Sequence, residues 1–383
     1  MKKFNLIFVL LLNSFLSFSQ SNLWKKTELK SNEETSYLKN LYEDKYQIFS
    51  LDYNKLKSKL EDAPSRLDQS SRSSLVVNFP DDKGNMERFK VYETFLLAPD
   101  IAVKHPNIKT YIGFSLDNPG ARIRFSITPQ GVKTMTSYIN RPTLFTVPTE
   151  KGNTTDYITY HRGVRITSKK DFECLTENEL IPIKEINSSF RDANDQILRT
   201  LRIAISTTGE YTNFWDDGDD TNGDAQADAL AALVSTLNRS NEVFEVDMAV
   251  TFQLVSGIEI IYPSASTDPY TGSYNSQLQS TLTSVIGESN YDIGHLFNYG
   301  GNNGNAGCIG CVCVDGQKGS GFSSHSFTDN DGGPNMDDFF DIDYVPHEIG
   351  HQMGGNHTFS QSSEGTGVNY EPGSGTTIMG YAG

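Results

Sequence analysis

Three histidines and one glutamate late in the chain have the spacing of ligands and base around a metal ion. They lie in the run His347–His357, which reads HEIGHQMGGNH. On an α-helix, His347 and His351 fall on one face about one turn apart, so both imidazoles can reach the same ion. Glu348 follows the first of them, where its carboxylate can take a proton from a zinc-bound water. The spacing predicts a zinc site with His347, His351 and His357 as ligands and Glu348 as general base.

The residues around this run predict where the helix begins and ends. We expect Asp341 or Asp343 to cap the helix, with Pro346 in the first turn, where a missing N–H costs little. The pair Gly354–Gly355 allows the positive φ that commonly ends a helix. The chain then turns back and brings in His357 from outside the helix. Three protein ligands leave a fourth position open, which is typical of a catalytic rather than a structural zinc.

This run, taken with TTIMGY at 376–381, resembles the metzincin metallopeptidases. Their motif is HExxHxxGxxH, and Met379 matches the methionine of their Met-turn, so the resemblance implies that Met379 is a structural support and not a ligand. Tyr381 matches a tyrosine that stabilises the oxyanion in some metzincins, or it is a packed turn aromatic. The resemblance implies a zinc metalloendopeptidase acting on protein or peptide substrates.

More narrowly, the chain is similar to the bacterial secreted reprolysin-like (M12B-like) peptidases over residues 198–383. The passages that carry this likeness are Leu201–Tyr211, Tyr291–Phe297 and Asp343–Glu348. The chain departs from many reprolysins at Thr358, where they carry an aspartate. Because that family continues into a further helix and a pocket wall, we expect the domain to be incomplete at Gly383.

The first twenty residues are typical of a secretory signal, with Lys2 and Lys3 before a short apolar core. We expect an exported, extracellular or cell-surface protein. The formal charge of −16 excludes a broad phosphate-binding surface, so no nucleic acid partner is expected. No later stretch is long and apolar enough to predict membrane insertion.

Residues 21–197 predict a separate β-rich region without catalytic residues of its own. Alternating segments and turn residues favour a small antiparallel sandwich or rolled sheet. In an exported peptidase such a region is most simply a propeptide that inhibits its own enzyme, with the processing site in the polar stretch 185–197. Cys174, near its end, can occupy the open zinc position as a latency ligand, or it can pair with a later cysteine.

The other three cysteines lie together at Cys308, Cys311 and Cys313. In an exported protein this spacing favours one local disulfide. Its pairing stays open, although a bond between Cys308 and Cys313 closes an easier ring than one between Cys311 and Cys313.

The remaining pattern predicts an α/β (α+β) catalytic domain with a mixed twisted sheet. We expect strands at Thr200–Ser206, Asp247–Leu254, Ile258–Tyr262 and Tyr291–Phe297, and helices at Asp224–Phe244 and Gln277–Ile286. By the family resemblance the last strand lies near the cleft, where an exposed edge can pair with substrate. The acidic loop Asp216–Asp224 can bind Ca²⁺, but it lacks the EF-hand register, so we favour a solvated loop whose last aspartate caps the next helix.

Two other functions fit parts of this pattern. One is a zinc hydrolase of a non-protein substrate such as a cell-wall cross-link, and the other is a surface adhesion module with a vestigial zinc site. Glu348 speaks against the second, because binding alone does not require that residue.

Overall fold

The computed structural model describes residues 23–28, 46–68, 73–162, 172–177, 195–327, 338–360, 371 and 377–380. The predicted export signal, Tyr381 and most of the predicted processing stretch lie outside these residues. Among the helices of the described ranges, none combines the length and the apolar character that a bilayer crossing requires.

The N-terminal part of the chain forms one antiparallel sheet. Its strands are β1 (Trp24–Thr27), β2 (Tyr46–Leu51), β3 (Val76–Pro80), β4 (Met86–Thr94), β5 (Lys109–Ser115), β6 (Arg122–Thr128), β7 (Gly131–Ser137), β8 (Leu144–Pro148) and β9 (Asp156–His161). Within the described residues the order is β1-β2-β9-β8-β7-β6-β5-β4-β3, so β3 to β9 form a meander of sequential neighbours. The two edge strands of this sheet meet, because Trp24 of β1 contacts Phe79 of β3 with ring centroids 6.1 Å apart. Of the two predicted arrangements, the structure therefore has the rolled sheet and not the sandwich.

Both faces of this sheet are covered, which explains why no second sheet is needed. Successive residues of a strand point to opposite faces. On β6, Phe125 packs in one apolar cluster with Leu56 and Leu60 of a short helix, while Arg124 faces Glu242 of a helix from the C-terminal part. The second layer on that side is thus supplied by the other half of the protein.

The C-terminal part forms a second sheet with helices. Its strands are β10 (Glu173–Cys174), β11 (Arg199–Thr207), β12 (Val250–Leu254), β13 (Ile293–Tyr299), β14 (Asn303–Asn305) and β15 (Gly321–His325). In the part of the chain that the structure describes, their order is β10-β14-β15-β13-β11-β12. All neighbours run parallel except β14 and β15, which are antiparallel, so the predicted mixed sheet is confirmed.

The edge of this sheet differs from the prediction. Strand β13, expected to have an exposed edge, lies between β11 and β15 and pairs with both. The strand beside the histidine run is instead β14, and its outer side carries the short strand β10. The edge of β14 beside the histidine run therefore already carries an extended segment of this chain, and the predicted open edge on β13 is wrong.

The helices are α1 (Tyr53–Leu60), α2 (Pro99–Lys104), α3 (Gly209–Trp215), α4 (Ala225–Met248), α5 (Tyr274–Thr281) and α6 (Val345–Gln352). Asp224 caps α4 by accepting a hydrogen bond from the Ala227 N–H at 2.9 Å, as predicted. Helix α4 ends at Ala249, which has a left-handed φ of 52°. The predicted strand from Asp247 is therefore wrong at its start, because Asp247 and Met248 still belong to the helix.

Two further predictions need correction. The predicted strand Ile258–Tyr262 is a 3-10 turn at Ile258–Ile260, and Ile261 forms only an isolated bridge with Thr207. The predicted helix Gln277–Ile286 is α5 followed by a π-helical segment, Leu282–Ile286. The apolar segment at 258–262 is short enough for either conformation, so periodicity alone does not decide between them. The segment at 277–286 is helical as predicted, and only its helix type changes.

Candidate metal centre and active site

Helix α6 carries His347, Glu348 and His351, and it begins differently from the prediction. Pro346 lies in the first turn, as expected. Neither Asp341 nor Asp343 caps the helix, because α6 continues directly from a π-helical turn, Phe340–Tyr344, without a side-chain cap among the described residues. A continuous helical backbone leaves no free first turn for a cap to satisfy.

The two aspartates are instead held by basic residues. Asp341 is fully buried and pairs with Arg239 of α4 at 2.9 Å. Asp343 pairs with Arg162, from the end of the first sheet, at 2.6 Å.

The end of α6 is held by a neighbouring loop. Gly354 has a φ of 107°, which supports its predicted role in ending the helix. The carbonyl of His351 accepts a hydrogen bond from the Gly310 N–H, and that of Gln352 accepts from the Cys311 N–H, each at 3.0 Å. A disulfide joins Cys308 to Cys311 within this loop, a pairing that the sequence left open. The loop satisfies carbonyls that a helix end leaves without intrahelical partners.

The chain returns after α6 and brings His357 to the two helix histidines. The Nε2 atoms of His347, His351 and His357 lie 3.1 to 3.2 Å from one another. All three side chains are buried. The Nδ1 atoms of His347 and His351 lie 2.8 and 2.7 Å from the carbonyl oxygens of Ile378 and Gly355, so Nδ1 carries the proton and Nε2 the lone pair.

This donor set fits a zinc ion. Three lone pairs facing one another in a dry site repel each other unless a cation lies between them. Zinc–nitrogen bonds of about 2.0–2.1 Å at tetrahedral angles separate the nitrogens by about 3.3 Å, close to the distances here. Burial lowers the pKa of His351 to about 4 and that of His357 to about 3, and it lowers the pKa of His347 well below its usual value. All three imidazoles are therefore neutral at pH 7, the form that binds metal.

Glu348 lies beside the three histidines and is fully buried. Burial raises the pKa of this carboxyl group to about 8. Its Oε2 atom accepts a hydrogen bond from the Thr176 hydroxyl at 3.0 Å. On the other side, the backbone of β14 approaches so closely that a Cβ atom on Gly304 would lie 2.5 Å from Glu348 Oε1. Sequence patterns do not predict the roles of Thr176 and Gly304, because both depend on how distant strands pair.

Cys174, the predicted latency ligand, lies at the same point. Its Sγ atom is 3.5 Å from His351 Nε2, and its ligand atom lies within 4.8 Å of those of all three histidines. A zinc ion with three nitrogen ligands and one sulfur ligand would place sulfur and nitrogen about 3.6 Å apart. Cys174 is outside the disulfide, so the alternative in which it pairs with a later cysteine is not observed.

The predicted Met-turn also lies beneath the histidines. A Cβ atom on Gly350 of α6 would lie 2.6 Å from Met379 Sδ, so the methionine packs directly on the helix. Thr358, the position where the chain departs from many reprolysins, donates a hydrogen bond to the carboxylate of Glu371. The same carboxylate accepts a hydrogen bond from Thr377 at 2.7 Å, which ties the residue after the third histidine to the Met-turn. Sequence reasoning missed Glu371, because nothing in its spacing marks it.

The predicted acidic loop is separate from this site. Asp216, Asp217 and Asp228 bring carboxylate oxygens within 4.8 Å of one another. The Asp217 N–H donates to Asp228 at 3.1 Å, and the Lys151 ammonium binds the carbonyl oxygen of Asp216. The cluster is thus partly neutralised from within the protein, and the preference for a solvated loop over a Ca²⁺ site stays a prediction.

Comparison with known proteins agrees with the geometry of the site. Curated proteins include none that matches this chain significantly. Among solved structures, metalloproteinase-II from Bacteroides fragilis matches with 9% identity and a TM-score of 0.39, covering 78% of this chain and 87% of the other, a likeness too low to carry an argument. The sequence model of the family described as Metallo-peptidase family M12B, Reprolysin-like, matches residues 197–383. Over residues 197–383 the chain is similar to the reprolysin-like metallopeptidases of family M12B, so this part of the chain is a metalloendopeptidase domain.

Proposed function

We propose that this protein is an exported zinc endopeptidase that is made as a latent precursor. His347, His351 and His357 hold the metal. The observation that carries this proposal is the convergence of their Nε2 atoms within 3.1 to 3.2 Å, beside the buried carboxyl group of Glu348. Proteins or peptides are the substrates that the family resemblance favours. Export rests on the signal-like pattern of residues 1–20.

The residues of the chain divide the chemistry among them. When zinc is bound, it lowers the pKa of a coordinated water and polarises the carbonyl of the scissile bond. The positive charge of a bound zinc ion would favour the ionised form of Glu348 over the neutral form that burial favours. In the ionised form Glu348 takes the proton from the attacking water and passes it to the leaving amine. Its carboxyl group is held against the backbone of β14 at Gly304, so it cannot swing away from the histidines. The oxyanion role of Tyr381 stays a prediction.

Replacing Glu348 by glutamine tests this assignment. Glu348→Gln keeps the shape of the site but removes the proton acceptor, so we expect unchanged zinc content and loss of peptide cleavage. Zinc is measured by atomic emission and cleavage with a fluorogenic peptide and casein. Glu210→Gln, on the exposed side of α3, is the matched control and should cleave normally. Cleavage by Glu348→Gln at the wild-type rate would contradict the proposed role.

Latency is proposed to come from the segment 172–177. Strand β10 pairs with the sheet edge at β14 and places Cys174 at the histidines. Phe172 stacks on Tyr344 with ring centroids 4.1 Å apart and meets His347 edge-on at 5.4 Å. The segment therefore fills the sheet edge, the open metal position and the space beside the first ligand, so that substrate and water are excluded.

Cys174→Ala in the uncleaved chain tests the latency ligand. Removing the sulfur opens the fourth metal position, so we expect cleavage of a fluorogenic peptide without any processing of the chain. Cys313→Ala is the matched control, because Cys313 is the other thiol outside the disulfide and is exposed. If Cys174→Ala remained as silent as Cys313→Ala, while the processed wild-type protein is active, Cys174 would not be the latency ligand.

A further inference from the structure

The N-terminal sheet contacts the peptidase domain far beyond the inhibitory segment. We call residues 23–162 the N-terminal unit and residues 195–380 the peptidase unit. We propose that the N-terminal unit stays bound to the peptidase unit after the chain between them is cut, as a lasting support for the helix that carries the site. This inference shares one assumption with the proposed latent precursor, namely that the chain is cut between the two units.

The first support is a buried ionic contact between β6 and α4. Arg124 is 1% exposed, and its guanidinium lies 3.0 Å from Glu242 and 2.6 Å from Glu245. Arg122 lies 3.1 Å from Glu242, and Arg66 lies 2.7 Å from Glu245. Three arginines of the N-terminal unit thus neutralise two glutamates on one face of a peptidase helix. Either unit alone would have to hydrate these charges on an otherwise packed surface.

The second support is a set of contacts between the N-terminal sheet and the turn that leads into α6. Ile342 is 2% exposed and packs in a cluster with Ile48, Met135 and Phe145, all from the N-terminal sheet. The next residue, Asp343, pairs with Arg162 of the same sheet at 2.6 Å. The π-helical turn directly before the metal-binding helix therefore lies between the two units. Ile342 and Asp343 contact the N-terminal unit, while Phe340 and Tyr344 pack in the core of the peptidase unit.

The third support lies at the opposite edge of the peptidase sheet. The backbone of Leu96 and Ala98 pairs with Leu254 of β12, through N–H to O distances of 2.7 and 2.9 Å. Leu96, Leu97 and Ile101 belong to the main apolar cluster of the peptidase unit, together with Leu237 of α4. The N-terminal unit thus completes a core and covers a strand edge that would otherwise be free to pair with another chain.

These three contacts have the composition of a permanent interface. Interfaces that come apart tend to be small and polar, whereas permanent ones resemble a core cut in half. The inhibitory strand, by contrast, forms a ladder of only Glu173 and Cys174 with β14. A cut between the units therefore allows the short segment 172–177 to leave the site but keeps the three contacts between the units intact.

The test separates association from activity. A recognition sequence for a site-specific protease is inserted between residues 178 and 194 of Glu348→Gln, which prevents further digestion by the protein itself. After cleavage, size-exclusion chromatography and native mass spectrometry measure whether the two fragments remain together. We expect a one-to-one complex in physiological salt and in 1 M NaCl. Hydrogen exchange at residues 340–344 should stay as slow as in the uncut chain.

Separation of the fragments during the first column run, or rapid exchange at residues 340–344 after the cut, would overturn the proposal. Arg124→Met supplies a second measurement. Its loss removes the one fully buried arginine that contacts both glutamates and leaves them only the partly exposed Arg122 and Arg66, so the cut fragments should dissociate on the order of a hundredfold faster. Arg88→Met is the matched control, because Arg88 pairs with Asp117 inside the N-terminal unit and should leave dissociation unchanged. Since none of these measurements uses catalysis, a failed zinc or peptidase assignment would not alter them.

Discussion

The Thr176 hydroxyl is a small group whose removal should loosen the latent state measurably. It donates to Glu348 Oε2 at 3.0 Å and accepts from the Ala306 N–H at 2.8 Å. Valine has nearly the same shape without the hydroxyl, so Thr176→Val removes two hydrogen bonds and leaves a buried carboxyl group and a buried N–H without these partners. The segment 172–177 should consequently leave the cleft more often.

The expected size follows from those two bonds. Burial keeps the carboxyl group of Glu348 largely neutral near pH 7, so both hydrogen bonds join neutral groups. Each contributes about 1–1.5 kcal/mol, so the closed state should lose roughly 2–3 kcal/mol. A tenfold change in an equilibrium corresponds to about 1.4 kcal/mol, so the open fraction should rise on the order of 30- to 150-fold. Residual activity of the uncleaved chain should rise by the same factor, until the open form predominates.

The assay is the initial rate of fluorogenic peptide cleavage by uncleaved protein, with the length of the chain checked by mass spectrometry. Thr159→Val is the matched control. Thr159 is a buried threonine of the N-terminal sheet whose hydroxyl pairs with Thr146, so its loss should affect folding stability but not latency. If Thr176→Val stayed at the wild-type rate while Cys174→Ala was active, the hydroxyl would not restrain the segment and this reasoning would be refuted.

Three further perturbations test other parts of the molecule. Asp224→Ala removes the N-cap of α4, and chemical denaturation should show a loss of about 1 kcal/mol in the free energy of unfolding; no loss would contradict the capping role. Gly350→Ala places a methyl group against Met379, so we expect weaker zinc retention in a competition with a chelator and a lower melting temperature; unchanged values would show that the methionine shifts freely. Burial lowers the pKa of His295 from 6.5 to about 4. Between pH 4 and pH 6.5 the unfolded chain therefore binds more protons at this residue than the folded protein does. His295 therefore destabilises the fold as pH falls from 6.5 to 4, and His295→Gln should flatten this dependence by up to about 3 kcal/mol; parallel stability curves for the two proteins would rule this out.

The part of the site that lies in one run of sequence could be predicted well. Helical spacing places His347 and His351 on one face, and Gly354 allows the turn that returns His357, so local geometry alone determines their convergence. Local geometry did not determine the cap, because Asp341 forms an ion pair with Arg239. Arg239 is distant in sequence and comes close to Asp341 only in the folded protein.

The remaining residues of the site come from strand pairing, which sequence periodicity does not encode. Thr176 and Gly304 reach Glu348 because β10 adds to the edge of β14, and neither residue belongs to a recognisable motif. The same limit explains the incorrect edge assigned to β13. Alternation predicts that a segment is a strand, but not which neighbours it will have.

Helix α4 packs against both sheets, and this position restricts how the protein can evolve. Glu242 and Asn238 face Arg124 of the N-terminal unit, while Leu237 of the same helix lies in the peptidase core. A change at Glu242 therefore has to be matched by a change at Arg124. These two residues lie on opposite sides of the segment 172–177 in the sequence. Related chains should show paired substitutions across the two units, and grafting this peptidase domain alone onto a foreign leader region should yield insoluble protein.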